Sequence, residues 1–280
     1  MKTPEVQAAN SVSLLTEATE LRREIIEGLF ACGGGHYGGA LSVLDIILTL
    51  YRRILRTAPD QPNHPSRDRF ILSKGHSAIA LYAVLRRFGF FNDSLTGYGQ
   101  ADSMLEGHPD MTVLPGVDFS TGSLGQGLSV GLGMAMALRS TDQNVWVVLG
   151  DGECQEGQVW EAAMLAARYR IDNLHAIIDN NGFQEWGWGH NSGISQSPVE
   201  ALALKWKAFG WRVCEIDGHD FDALTVAFNA SMMHKEGQPS LIIAKTIKGK
   251  GFPLIERDPI RFHCTAVTSN EQAMLMGVEQ

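Results

Sequence analysis

Two oxygen-bearing side chains stand thirty residues apart, and each follows an apolar run of the chain. Asp151 comes shortly after the run 145–149, and Asn181 follows the run 175–178. Carboxylate and amide oxygens are ligands of Mg²⁺, which commonly takes the rest of its six oxygens from substrate phosphates. The pair therefore predicts a site for a divalent ion and a phosphate, to which the backbone carbonyl of Phe183 adds a further oxygen.

The glycines beside Asp151 favour the same interpretation. Gly150 and Gly152 carry no side chain, so backbone N–H groups can approach a phosphate, and a helix that follows presents its positive end. Taken singly, Gly-Asp-Gly and Asn-Asn-Gly are common turn sequences. Their joint occurrence after two neighbouring apolar runs favours a binding site over two unrelated turns.

Four histidines lie in glycine-rich or turn-like segments: His36, His76, His108 and His263. A neutral imidazole donates at one nitrogen and accepts at the other, and a protonated one is a cation for phosphate. One such histidine alone is usually structural or solvated. Four of them in one chain predict a shared polar site.

The elements that must position these side chains alternate between two periodicities. Helical patterns cover 13–31, 42–55, 77–88, 125–139, 158–170, 198–209 and 221–235, and short apolar runs typical of buried strands cover 145–149, 175–178, 212–216 and 240–244. This alternation predicts an α/β fold, a doubly wound parallel sheet with helices on both faces. Ligands of such a fold bind outside the carboxyl ends of the strands, where Asp151 and Asn181 stand.

Composition excludes several classes of protein. The 280 residues are 44% hydrophobic and 19% charged, as in ordinary globular domains. A net charge of -8 disfavours binding to nucleic acid. No apolar stretch predicts a membrane span, the first residues do not resemble a signal peptide, and four scattered cysteines predict reduced thiols. We expect a cytoplasmic protein that binds neither membrane nor nucleic acid.

The run from Gly150 to Ala162, GDGECQEGQVWEA, closely resembles transketolases. Gly-Asp-Gly at its start, with Asn181 at the end, is similar to the thiamine diphosphate motif. This resemblance implies the diphosphate-binding domain of the thiamine-diphosphate-binding fold over residues 1–280. It also implies thiamine diphosphate with Mg²⁺, for which Ca²⁺ or Mn²⁺ can substitute, and metal binding by Asp151, Asn181 and Phe183.

The resemblance further assigns roles to single residues. His36, His76, His108 and His263 are implied to be catalytic, the first and third facing the reacting carbons and the other two lying near the diphosphate and the substrate entrance. The implied cofactor-binding residues are His76, Gly122, Ser123, Leu124, Gly150, Asp151, Gly152, Glu153, Glu156, Asn181, Phe183 and His263. Of these, the segment 122–124 lines the aminopyrimidine ring, and Glu156 faces its symmetry mate between two cofactor sites.

The chain departs from the family at several positions. Tyr37 follows the first histidine where Pro is usual, and Cys264 follows His263 where Gly is usual. The loop after Asn181 contains Trp186 and Trp188, more tryptophan than is expected for the family. These positions border the substrate channel in the family, so the departures concern the sugar substrate more than the cofactor.

Three lysines follow the last predicted strand, namely Lys245, Lys248 and Lys250. They are explained equally well by a solvated flexible loop and by a cationic patch that steers anionic substrates toward the site.

The resemblance covers nearly the whole chain but only the first third to half of a full-length transketolase. In the family, a glutamate on a second α/β domain hydrogen-bonds the pyrimidine ring. We therefore expect the N-terminal, diphosphate-binding subunit of a split transketolase, with the C-terminal, pyrimidine-binding subunit on another chain and a heterotetramer of two copies of each. The pair would pass a two-carbon ketol unit from a ketose or ketose phosphate to an aldehyde.

Two alternatives remain open. The chain could serve another thiamine enzyme, either one that decarboxylates 2-oxo acids or one like deoxyxylulose-phosphate synthase. The Ser-Lys-Gly-His and Gly-His-Pro motifs disfavour the former, and chain length disfavours the latter. A non-catalytic relative that has kept the fold is disfavoured by the intact Asp151, Asn181 and four histidines.

Overall fold

The computed structural model describes residues 10–185, 200–233 and 236–277. Two residues singled out above, Trp186 and Trp188, lie outside these ranges. The same holds for 198–199 and 234–235, which belong to the predicted helices 198–209 and 221–235. The helices are α1 (Ser11–Ala31), α2 (Tyr37–Arg53), α3 (Ala78–Phe88), α4 (Gln126–Ala137), α5 (Gly157–Arg168), α6 (Leu202–Ala208), α7 (Phe221–Met233), α8 (Pro253–Arg257) and α9 (Ser269–Met276). The strands are β1 (Arg69–Leu72), β2 (Val145–Gly150), β3 (Leu174–Asn180), β4 (Arg212–Asp217) and β5 (Ser240–Lys245).

In the described part of the chain, these strands form one parallel sheet with the order β1-β2-β3-β5-β4. Strands β2 and β3, which directly precede the predicted metal ligands Asp151 and Asn181, are neighbours in the sheet. At their ends, Gly150 pairs with Asp179. Every residue of β2 is buried, as expected for a central strand covered on both faces. The predicted doubly wound parallel sheet is confirmed.

The two faces of the sheet contribute to two separate hydrophobic clusters. Along β2, Trp146 and Val148 pack with α1, α2, α3 and α7, whereas Val147 and Leu149 pack with α4, α5 and α6. This alternation is the two-residue period of a strand. None of the described helices combines the length and apolar character that a membrane span requires.

The structure differs from the sequence prediction at β1, at the start of α2 and after β5, where α8 and α9 were not predicted. The pattern did not predict β1, because only three apolar residues follow Arg69 in a strand of four. Helix α2 begins at Tyr37 rather than at residue 42, with two glycines in its first turn. Glycine is a poor helix former, but a Cβ on Gly38 would lie 2.6 Å from Cγ of Lys248. Glycine at this position therefore allows α2 to approach the loop after β5 closely.

Candidate functional site

A cavity of about 430 Å³ lies where the carboxyl ends of β1, β2, β3 and β5 meet. The predicted residues that line it are His36, His76, His108, Gly122, Leu124, Gly150, Asp151, Gly152, Glu153, Asn181, Phe183 and His263. Ser123 and Glu156 are exposed and are not among the lining residues. The sequence did not predict Gly39, Lys74, Gln155, Gln184 and Glu185 as lining residues, although all five line the cavity.

Asp151 joins the ends of β2 and β3. Its carboxylate accepts hydrogen bonds from the backbone N–H of Gly152, at 2.8 Å, and of Gly182, at 2.6 Å. The side chain is 2% exposed, and burial, followed by the nearby Asp179, raises its pKa to about 6. A cation beside this carboxylate would reverse the effect, because it favours the charged form.

Asn181 supplies a second oxygen at the same edge of the sheet. Its Oδ1 accepts a hydrogen bond from the N–H of Phe183 at 3.0 Å, and its Nδ2 lies 3.4 Å from the Ser42 hydroxyl. Across 10–185, 200–233 and 236–277, no group of three or more His, Cys, Asp or Glu side chains could hold a metal ion. Asp151 and Asn181 offer one carboxylate and one amide oxygen, which fit a hard cation whose other oxygens come from a phosphate ligand and from backbone.

Space for such a phosphate exists beside Asp151. A Cβ placed on Gly150 would come no closer than 3.9 Å to any residue other than its chain neighbours, and Gly150 lines the cavity. The residues present thus fit a divalent ion together with a diphosphate.

Three of the histidines that line the cavity form a tight cluster. The ring centre of His36 lies 4.9 Å from that of His76 and 5.4 Å from that of His263. Burial is the main reason that the pKa of His36 falls to about 4 and that of His263 to about 3, and nearby cations add to it. The pKa of His76 is also lowered well below its ordinary value, by burial first. At neutral pH these rings are uncharged, so they can donate to or accept from hydroxyl groups.

His108 approaches the cavity from a different segment. It is exposed, and a Cβ on Gly122 would lie 3.1 Å from Cδ2 of its ring. The imidazole therefore packs against Gly122, near enough to His36 and His76 to lower the pKa of both.

A buried lysine at the base of the cavity was missed by the sequence interpretation. Lys74 Nζ donates to Asp179 Oδ2 at 2.5 Å and to the carbonyl of Gly39 at 3.1 Å. Asp179 also accepts hydrogen bonds from the hydroxyls of Ser42, at 2.6 Å, and Thr246. The Ser-Lys-Gly-His motif contains Lys74 and could have indicated it. Because β1 was not predicted, however, the sequence did not show that Lys74 follows the end of a strand.

The second lysine of the cavity is Lys248, and the solvated interpretation is wrong for it. It is 3% exposed, and its Nζ lies 2.6 Å from Nδ1 of His263. Burial, followed by Lys74, lowers its pKa to about 8. In contrast, Lys245 is exposed and pairs with Glu215 at 3.3 Å.

Glu153 contacts protein donors with both carboxylate oxygens. Oε1 accepts from the N–H of Gly125 at 2.7 Å and from the Ser73 hydroxyl, and Oε2 accepts from the N–H of Gly150 at 3.0 Å. Burial raises its pKa. The side chain thus holds the start of α4 against the ends of β1 and β2.

Two of the residues at which the chain departs from the family, Tyr37 and Cys264, can be placed in the described part of the chain. The ring of Tyr37 is fully buried between Phe30 and Phe262, at centroid distances of 6.2 and 6.3 Å. Cys264 is exposed, and neither residue lines the cavity. Both positions were expected to border a substrate channel, and Tyr37 instead packs in the hydrophobic core because its ring follows the buried face of α2.

Comparison with known proteins gives concordant results. The family described as "Transketolase, thiamine diphosphate binding domain" matches residues 19–276. The 6-deoxy-6-sulfo-D-fructose transketolase subunit SqwG of Clostridium sp. (strain MSTE9) is 41% identical over 243 residues, which are 86% of each chain. One subunit of the apulose-4-phosphate transketolase of Phocaeicola vulgatus is 40% identical over 249 residues, 87% of this chain and 86% of that one.

A solved structure of a Pichia stipitis transketolase variant shares the fold. It superposes with a TM-score of 0.83 at 27% identity over 95% of this chain, which spans 40% of that larger protein. The predicted thiamine-diphosphate-binding fold is confirmed.

Proposed function

The chain belongs to the transketolase family, whose thiamine diphosphate-binding domain it carries, and we propose that it is the diphosphate-binding subunit of a two-chain, Mg²⁺-dependent transketolase. The observation that carries this proposal is the placement of Asp151 and Asn181 at adjacent strand ends in one cavity with uncharged histidines and two lysines. The proposed reaction moves a two-carbon ketol unit from a ketose or ketose phosphate to an aldehyde.

The metal site is proposed on the donor set. The Asp151 carboxylate, the Asn181 amide oxygen and the backbone carbonyl of Phe183 would hold Mg²⁺, with Ca²⁺ or Mn²⁺ as substitutes. Gly150 and Gly152 would leave room for the diphosphate, since neither carries a side chain, while their N–H groups donate to Glu153 and Asp151. The carboxylate of Asp151 is then ionised at neutral pH, because the cation offsets the effect of burial.

The remaining predicted residues surround the rest of the cofactor and the sugar. His76 and His263 would lie near the diphosphate, and the segment 122–124 would line the aminopyrimidine ring. Glu153 would contribute to the cofactor site indirectly, because its carboxylate accepts the N–H groups of Gly125 and Gly150 and so holds both segments in place.

His36 and His108 are proposed to bind sugar hydroxyls and to move protons at them. The lowered pKa of His36 supports its role in binding hydroxyls, because an uncharged ring offers one hydrogen-bond donor and one acceptor. When bound, thiamine diphosphate supplies the carbon nucleophile and holds the electron pair released when the carbon–carbon bond breaks.

The partner is proposed from the relatives. Two relatives matched over 86% of their own length are named transketolase subunits, so a protein of about this size can be one chain of a larger enzyme. We propose that residues 1–280 form one domain, that a second chain supplies the pyrimidine-binding domain, and that two copies of each assemble. Exposed Glu156 would face its symmetry mate, and four free thiols fit a cytoplasmic location.

Reconstitution tests the proposal. The chain alone should show no turnover, and adding the pyrimidine-binding chain with thiamine diphosphate, Mg²⁺, a ketose phosphate and an aldehyde should produce ketol transfer. Asp151→Ala should abolish it, whereas Asp60→Ala, in an exposed loop, should leave it unchanged. Full turnover by this chain alone, or turnover with pyruvate but with no ketose, would overturn the proposal.

A further inference from the structure

The loop between β5 and α8 places Lys248 in the cavity, and several elements hold its backbone. Thr246 N donates to the carbonyl of Asn180 at 3.1 Å, at the end of β3. Gly249 N donates to the carbonyl of Gly38 in α2 at 3.1 Å. The residue between these anchors that directly precedes the lysine is Ile247, and its N–H is bound by a side chain.

That side chain is His219, from the connection between β4 and α7. Nε2 of His219 accepts the N–H of Ile247 at 2.8 Å, and Nδ1 lies 2.7 Å from Asp45 Oδ2 in α2. Because Nε2 accepts, the ring proton is on Nδ1 and is donated to the carboxylate. The two contacts therefore select one tautomer and one ring orientation.

Asp45 is in turn paired with Arg22 of α1 at 2.6 Å, and their side chains are 3% and 8% exposed. A Cβ on Gly251 would lie 2.8 Å from Cδ of Arg22, so the backbone of Gly251 packs against the arginine stem. The chain of contacts Arg22–Asp45–His219 thus touches the lysine loop at two points, Ile247 and Gly251.

We propose that His219 is a positioning residue of this site: oriented by Asp45 and Arg22, it fixes the loop that holds Lys248 against His263. The inference rests on the proposed function, since it gives Lys248 its task beside an anionic cofactor. His219 itself does not line the cavity. Its effect reaches the cofactor through the backbone of Ile247 and then through the buried Lys248 ammonium.

Two substitutions separate the two nitrogens of the ring. In His219→Gln, the side-chain oxygen can take the place of Nε2 and accept from Ile247. In His219→Asn, the amide can take the place of Nδ1 and donate to Asp45, but no group reaches Ile247. His64→Gln, in the segment before β1 and not among the residues that line the cavity, is the matched control.

The first readout is hydrogen–deuterium exchange of the backbone amides of residues 247–251, measured on the full chain bound to its partner without cofactor. The second is the affinity for thiamine diphosphate with Mg²⁺, by calorimetry on the same complex. His219→Asn should speed the exchange and weaken binding by about tenfold each, whereas His219→Gln should stay within about threefold of the parent.

Equal behaviour of the Asn and Gln variants, or unchanged exchange in His219→Asn, would overturn the proposal. Absence of cofactor binding by the parent would instead overturn the proposed function, while the exchange comparison would still test the positioning role. If His219→Asn does not fold, His219→Ala replaces it, because it also removes the acceptor of the Ile247 N–H and keeps the Arg22–Asp45 pair. Faster exchange at Ile247 would then support the role, and unchanged exchange would overturn it.

Discussion

Individual side chains in this cavity owe their charge states to burial. His36 and His263 are kept uncharged by desolvation, while Lys248 remains the better proton holder of the Lys248–His263 pair, at a pKa of about 8 against about 3. Since an ammonium only donates, Nδ1 of His263 is the acceptor in their 2.6 Å contact. The cavity therefore presents a fixed cation beside neutral rings, a combination suited to an anion on one side and hydroxyl groups on the other.

His36→Gln should change how the stability of the chain depends on pH. The pKa of His36 is about 4 in the folded chain and 6.5 for an ordinary histidine, so the unfolded state binds more protons between these values. The stabilising contribution is fully present above pH 6.5 and is lost as the pH falls toward 4. The variant should lower the slope of unfolding free energy against pH by at most about 1.4 kcal/mol per pH unit, and by less where solvent reaches the ring.

Urea unfolding in metal-free buffer from pH 5 to pH 7.5 measures this slope. Above about pH 7, the free energies of unfolding of parent and variant should differ by a constant amount. Identical slopes below pH 6.5 would show that His36 is not held in its uncharged form by the fold.

Glu153→Gln tests whether the carboxylate of Glu153 is a structural acceptor. Both oxygens accept from protein donors, so an amide NH₂ in place of one oxygen would face an N–H or hydroxyl and leave it unpaired. The free energy of unfolding should fall by about 1–3 kcal/mol. Glu161→Gln, at an exposed position of α5, is the control and should stay within about 0.5 kcal/mol.

At the scale of elements, the ends of four parallel strands bring the site together. The sequence predicted β2, β3 and their connection well, because each is an apolar run of ordinary strand length followed by a polar turn. Asp151 and Asn181 could therefore be placed at one edge of the sheet. Strand β1 and the glycine-rich start of α2 have no such local signal, since tertiary contacts form them. Lys74, which follows β1, was missed for that reason.

Lys74→Met should destabilise the chain, because it removes the partner of a fully buried carboxylate. The Lys74–Asp179 pair joins the end of β1 to that of β3, with side chains 2% and 0% exposed. An uncompensated buried charge costs about 3–5 kcal/mol. Adding Asp179→Asn should recover part of this loss, since neither of these two positions then carries a charge. Lys245→Met, which breaks only the exposed pair with Glu215, should cost less than about 1 kcal/mol.

Equilibrium unfolding of these variants gives the coupling between the two positions. A double variant that is less stable than Lys74→Met by the full cost of Asp179→Asn would contradict the pairing, because independent sites add.

At the scale of the whole molecule, the sequence allowed the parallel α/β architecture and the family to be inferred. It did not show which of the lysines after β5 enters the cavity. Lys245 and Lys248 look alike in the sequence, and only the packing of α2 against the loop after β5 buries one of them. Tyr37 shows the reverse case: its neighbour His36 lines the cavity while its own ring enters the core. The glycine-rich motif around His36 did not indicate in which direction the side chains at the start of α2 point.

We propose that, in the assembled enzyme, Asp151 and Asn181 share one divalent ion that anchors the diphosphate of the cofactor. Mn²⁺ can replace Mg²⁺ in the proposed site and scatters X-rays anomalously. A crystal of the two-chain complex grown with thiamine diphosphate and Mn²⁺ should give one anomalous peak within about 2.0–2.4 Å of a carboxylate oxygen of Asp151 and of the amide oxygen of Asn181, with diphosphate oxygens around it. Ordered cofactor with the anomalous peak elsewhere, or with those two side chains pointing away from the ion, would contradict the account.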